Sequence, residues 1–172
     1  MDKFLNIPEQ DLVVSGTSVT PVGSADLTDT GNVFANVSVG DIVHQSTDNE
    51  YFTVASKIDD NNLTLTALDG GTAPIVSGKD FFIHSATASK SQLVSCVGIG
   101  LIEQASTSTV TITYDDAATV DVVTITHVPV ASGSEAMRDA LQNDVISALQ
   151  TAWTSVSNSV ELPKQVIGVS IG

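Results

Sequence analysis

Residues 37–68 read VSVGDIVHQSTDNEYFTVASKIDDNNLTLTAL. Three runs rich in β-branched and aromatic residues stand out: Asp41-Ile42-Val43-His44, Tyr51-Phe52-Thr53-Val54-Ala55 and Leu63-Thr64-Leu65-Thr66. Between them lie Ser46-Thr47-Asp48-Asn49 and Asp59-Asp60-Asn61-Asn62, clusters of the residues whose side chains bond their own backbone in turns. The pattern predicts a meander of a small β-barrel. It holds no arrangement of nucleophile, base or metal ligands.

The same texture extends over residues 10–88. Asp11-Leu12-Val13-Val14 and Thr17-Ser18-Val19-Thr20 read as separate strands with a break at Ser15-Gly16. Val33-Phe34-Ala35 reads as another, and Phe81-Phe82-Ile83-His84 closes the region. Short strands at near-regular spacing predict an all-β barrel-like domain.

Residues 89–172 read differently, as α+β. The apolar stretch 93–102 suits one buried strand bent or bulged at Gly98 and Gly100. Val110-Thr111-Ile112-Thr113-Tyr114 alternates as a half-exposed strand does, and pairs as a hairpin with residues 120–125. Residues 133–156 predict one long helix. Met137, Leu141, Val145, Leu149, Ala152, Trp153 and Val156 recur at helical spacing, and Ser132 with Glu135 has the spacing of a capping box. Val160-Glu161-Leu162-Pro163 and residues 166–171 supply the last strand or two. Phe4-Leu5-Asn6-Ile7 also alternates like a strand, with two expected fates. It pairs with the C-terminal sheet, so that the barrel is an insertion into a domain formed by residues 1–9 with 89–172, or it is a free arm that pairs with a neighbouring chain. The expected fold is therefore mainly β with α+β character: a small β-barrel region joined to an antiparallel sheet carrying one long helix.

Composition narrows function. Twenty acidic against six basic residues give a formal net charge of −14. Lys3, Lys57, Lys79, Lys90, Arg138 and Lys164 stand singly along the chain, so the electrostatic term that dominates nucleic-acid affinity has the wrong sign. Cys96 is the one cysteine, which excludes an intrachain disulfide and reads as a small buried hydrophobe. No run reaches transmembrane length, and MDKFLNIPEQ lacks the apolar stretch of a signal peptide; the expectation is a protein made in a host cytoplasm, with no membrane partner. Asn36-Val37-Ser38 and Asn62-Leu63-Thr64 then match the glycosylation acceptor by chance.

The chemical candidates are few. His44, His84 and His127 lie on or beside strands without a second ligand at metal spacing. There is no G-x-S-x-G elbow, and Gly98-Ile99-Gly100 lacks the third glycine of a dinucleotide fingerprint because Glu103 stands there. Glu103 itself has no visible partner. Asp59, Asp60, Asp115 and Asp116 fall in turns, where carboxylates can meet a calcium ion, although neither pair follows the EF-hand pattern. The residues thus predict no catalytic group, no cofactor and no strong metal site.

Gly16-Thr17-Ser18, Val39-Gly40-Asp41-Ile42-Val43, Tyr51-Phe52-Thr53-Val54 with Lys57-Ile58-Asp59, and Leu63-Thr64-Leu65-Thr66 together resemble small β-barrel modules of tailed-phage virion proteins. This covers less than half of the chain and marks fold more than role. Leu101-Ile102-Glu103-Gln104-Ala105-Ser106, the strand at 110–114, Arg138-Asp139-Ala140-Leu141-Gln142 and Trp153-Thr154 look like short proteins of marine phages. The resemblance implies a non-enzymatic virion structural protein: a capsid decoration, cement or vertex component, or a small head–tail or tail component. The implied partners are the major capsid protein or copies of itself in a homo-oligomer, and the implied location is the virion. The competing expectation is a carbohydrate- or receptor-binding module of a spike or tail, weakened by the scarcity of aromatics free to form a sugar platform.

Overall fold

The computed structural model describes residues 2–19, 25–46, 49–68, 77–115, 121–150 and 154–172. Along the chain run β1 (Phe4–Thr17), β2 (Asp26–Thr28), β3 (Ile42–Gln45), β4 (Glu50–Asp59), β5 (Asn62–Ala67), β6 (Asp80–Ser95), β7 (Ile99–Ser106), β8 (Thr109–Tyr114), β9 (Val122–His127), α1 (Ala136–Leu149), β10 (Ser157–Ser159) and β11 (Val166–Ile171). The protein is mainly β with one described helix. It divides into two compact units, residues 11–87 and residues 1–10 with 88–172.

In the unit of residues 11–87, the ladder order is β1-β6-β3-β4-β5-β2. The turns read from sequence do their work here. Asp59 Oδ1 accepts from the Asn61 amide at 2.7 Å and from Asn62 Nδ2 at 2.8 Å, which folds β4 back onto β5. Alternation then sends Val54, Leu63 and Leu65 inward to join Leu27, Val43, Phe52 and Ile83 in one core. Phe34 plugs this core beside Phe81, their ring centroids 5.8 Å apart. Phe34 lies in a turn and not in the strand expected for Val33-Phe34-Ala35. Its backbone is held from outside: the Lys57 ammonium donates to the carbonyls of Phe34 (2.7 Å) and Ala35 (2.9 Å) and pairs with Asp60 (2.8 Å).

Two further expectations change. Ser15-Gly16 is not a break, because β1 runs on through both residues. A Cβ on Gly16 would meet Phe81 Cζ at 2.8 Å, so the glycine lets a ring lie against continuous strand. The sheet is also not closed into a barrel. β2 is three residues long and its ladder partner is β5. Among the described residues, its backbone link toward the end of β1 is the bond from Val19 N–H to Thr28 O at 3.0 Å, where closure needs a full ladder.

In the unit of residues 1–10 with 88–172, β11-β9-β8-β7 form an antiparallel sheet. Val110 faces Ile125 and Ile112 faces Val123 across β8 and β9, all buried. Met137, Leu141, Val145 and Ala148 of α1 share their core with Leu5, Ile7, Val94, Val160 and Val166. The helix is shorter than the expected 133–156. Glu135 stands at its start without a side-chain cap, so the capping box of Ser132 is not made; Ser134 Oγ accepts from the Ala136 amide at 3.4 Å instead. Leu149, expected in the packed face, is 53% exposed. Ala152 and Trp153 lie outside the described residues. The stretch 93–102 is not one strand either. The chain leaves β6 at Ser95 and enters β7 at Ile99, while the expected irregularity at Gly100 appears as a register shift between Ile99 and Leu101. The strand expected at Val160-Glu161-Leu162-Pro163 falls just earlier, as β10.

Candidate functional site

Phe4, Leu5, Asn6 and Ile7 open β1 and are built into their own unit. Phe4–Asn6 pair in parallel with β10, the Val160 amide donates to Asn6 O at 3.2 Å, and Leu5 and Ile7 are fully buried. They do not form a free arm. Asp59 and Asp60 are exposed, and their oxygens are taken up by Asn61, Asn62 and Lys57. The bonds from Asn61 and Asn62 hold the Asp59 carboxyl below the usual carboxylate range. Asp115 is exposed in another unit of the fold, beside Gly100, and Asp116 lies outside the described residues. Among the described residues, no three His, Cys, Asp or Glu side chains gather as metal ligands. Glu103 is exposed on β7. Cys96 is buried, and burial pushes its thiol up, with Asp144 adding to the effect. Tyr114 is pushed up to about 12, mainly by burial, and donates to Ser95 O at 2.6 Å.

The polar groups that organise the fold are others. Asp41 is 4% exposed, and its two oxygens accept from the amides of Ser38 and Ala86, each at 2.9 Å. Gly40, at φ +94°, turns the chain so that this carboxylate points back at its own loop. The V-G-D-I-V motif is thus a staple between the loop before β3 and strand β6. In the other unit, Gln104 is a hub. Its amide nitrogen donates to Ser106 O at 2.7 Å and lies 2.9 Å from His127 Nε2, and its oxygen meets the Arg138 amide at 3.4 Å. Val128 O is only an acceptor, at 2.8 Å from Nδ1, so His127 carries its proton on Nδ1 and accepts from Gln104 on Nε2. β7, the end of β9 and the start of α1 are tied together at this point. Period-two counting places Gln104 on the face of Ile102, which was the available signal for a polar residue turned inward.

His127 is fully buried, and desolvation, opposed by its bond to Val128, lowers its pKa. The folded state therefore holds it neutral, whereas the unfolded chain takes up a proton near pH 6.5. Its contribution to stability should be complete above that value and fall as the pH drops below it. His44, lowered by burial, acts in the same direction. Denaturant midpoints between neutral and mildly acidic pH should fall more steeply for the wild type than for His127→Gln; equal slopes would show that His127 takes up its proton as readily in the folded protein as in the unfolded chain.

Two other features stand out. His44 stacks on Tyr51 with centroids 4.4 Å apart and lies 6.3 Å from Phe82. A recess of about 350 Å³ lies between α1 and β7, with Cys96 and Val145 among its lining. No described helix is long and apolar enough to cross a membrane. Comparison with known proteins finds no matching family model, no matching curated protein and no matching solved structure.

Proposed function

We propose that this chain is a non-enzymatic structural protein of a virion, a capsid decoration, cement or vertex component that acts by assembly with its neighbours. The observation that supports the reading is how its buried and half-buried polar groups are used. Asp41, Gln104 and His127 have the chemistry for catalysis, yet each commits its hydrogen bonds to loops and strands of its own unit. Rigid β-units with apolar surface left at a strand edge suit a protein whose work is contact. The net charge of −14 requires that neighbours avoid the acids or bring basic groups to them. The neighbours in this reading are the major capsid protein or further copies of the chain.

A glycan- or receptor-binding role is the second reading, and the partly exposed rings of His44 and Phe82 favour it. Gradient purification of particles from infected cells separates the two from an unrelated soluble role. The chain should sediment with the particles and stay with them through washing. Recovery only in the soluble fraction would contradict assembly, and binding of purified chain to a glycan array would promote the second reading.

A further inference from the structure

Strand β7 ends the antiparallel sheet of its unit, and among the described residues no strand lies beyond it. Helix α1 runs beside it with two neighbouring rows of apolar side chains. One row, Met137, Leu141, Val145 and Ala148, is buried in the core. The other contains Ile146 and Leu149, which remain 43% and 53% exposed. Across the recess, Val97 and Leu101 are 50% and 53% exposed. An unpaired edge flanked by apolar side chains is a liability that proteins usually blunt with charge or cover. On β7 the only charged residue is Glu103.

We propose that this groove takes an extended, basic segment of a neighbouring protein, added as a fifth strand along the free edge of β7. The backbone of the segment would pair with β7, and its alternate apolar side chains would fill the space between Ile102, on the helix side of the strand, and the Ile146–Leu149 row. Charge decides the occupant. The exposed Glu103 lies on the strand, Asp115 lies against Gly100, and the charge of Asp144 is felt at Cys96 in the groove lining. Asp144 is itself held above the usual carboxylate range, first by burial and then by Glu161. Lys3 is the basic group that opposes these acids at Cys96. A segment bearing Lys or Arg on its outward positions relieves this imbalance. A second copy pairing edge to edge would bring another chain of charge −14 and a second Glu103 to the same place. The proposal deepens the assembly reading and rests on it for the kind of neighbour.

The probe is an eight-residue amidated peptide of alternating valine and lysine, matched to the eight residues of β7. Its control has the same charge but proline at the valine positions, and so cannot pair as a strand. Titration calorimetry at moderate salt should show saturable binding of the first peptide, with slowed amide exchange in β7. The uncharged double variant Ile146→Gln/Leu149→Gln should keep the wild-type melting temperature and bind about tenfold more weakly. Equal binding of the proline peptide, or unchanged affinity of the double variant, would reduce the effect to general attraction and overturn the proposal. Dimerisation of the free chain with protection of β7 would overturn the choice of occupant. Loss of the peptide effect while the chain still sediments with particles removes the groove alone; peptide binding by a chain absent from particles removes the assembly reading instead.

Discussion

Replacing Asp41 with alanine is expected to destabilise the unit of residues 11–87 by roughly 3–6 kcal/mol, since each hydrogen bond to a charged acceptor contributes about 1.5–3 kcal/mol and two are lost together. The loss should exceed that of an ordinary surface substitution because the Ser38 and Ala86 amides would be left without their acceptor beside a site that is 4% exposed. Asp41→Asn keeps one acceptor oxygen and should fall between the two. Denaturant unfolding followed by amide exchange in β3 and β6 reads the effect. A midpoint unchanged in Asp41→Ala would show that the loop is held by other contacts and that the motif has a different purpose.

Leu5→Ala is expected to cost about 2–5 kcal/mol, the range for removing a buried leucine from a packed core. Leu5 is fully buried among Val94, Val110, Met137 and Val160, in the same cluster as the helix face. Leu12→Ala is the control: it lies on the same strand but is 50% exposed, and its cost should stay within about 0.5 kcal/mol. Equal, small effects at both positions would return the N-terminal segment to the status of an arm. Removal of residues 1–8 should likewise damage the unit that contains them, so a truncated chain that fails to join particles would report unfolding before it reported a lost contact.

What the sequence revealed was local. The β4–β5 hairpin follows from Asp59 and Asn62 closing their own turn, and the β8–β9 pair follows from the alternation of Val110 and Ile112. The inward face of α1 at Met137, Leu141 and Val145 follows from helical period. The misreadings are cases where a distant contact outweighs local chemistry. Gly16 looks like a break until the Phe81 ring is found lying on it. Phe34 looks like strand, but it is fixed as a plug by Lys57, twenty-odd positions away. Ser132 and Glu135 have the spacing of a cap, yet Glu135 pairs with Arg138 at 2.6 Å. Gln104 gained its place only through His127, Ser106 and the start of α1, three partners that no short window contains together.

Assembly into a particle is tested most directly by a cryo-EM map of that particle. Ordered density should fit each of the two units, repeated with the symmetry of the shell or of a vertex, with a neighbour's basic strand continuing the sheet at β7. A map explained entirely by other proteins, together with turnover of a substrate by the purified chain in solution, would contradict it.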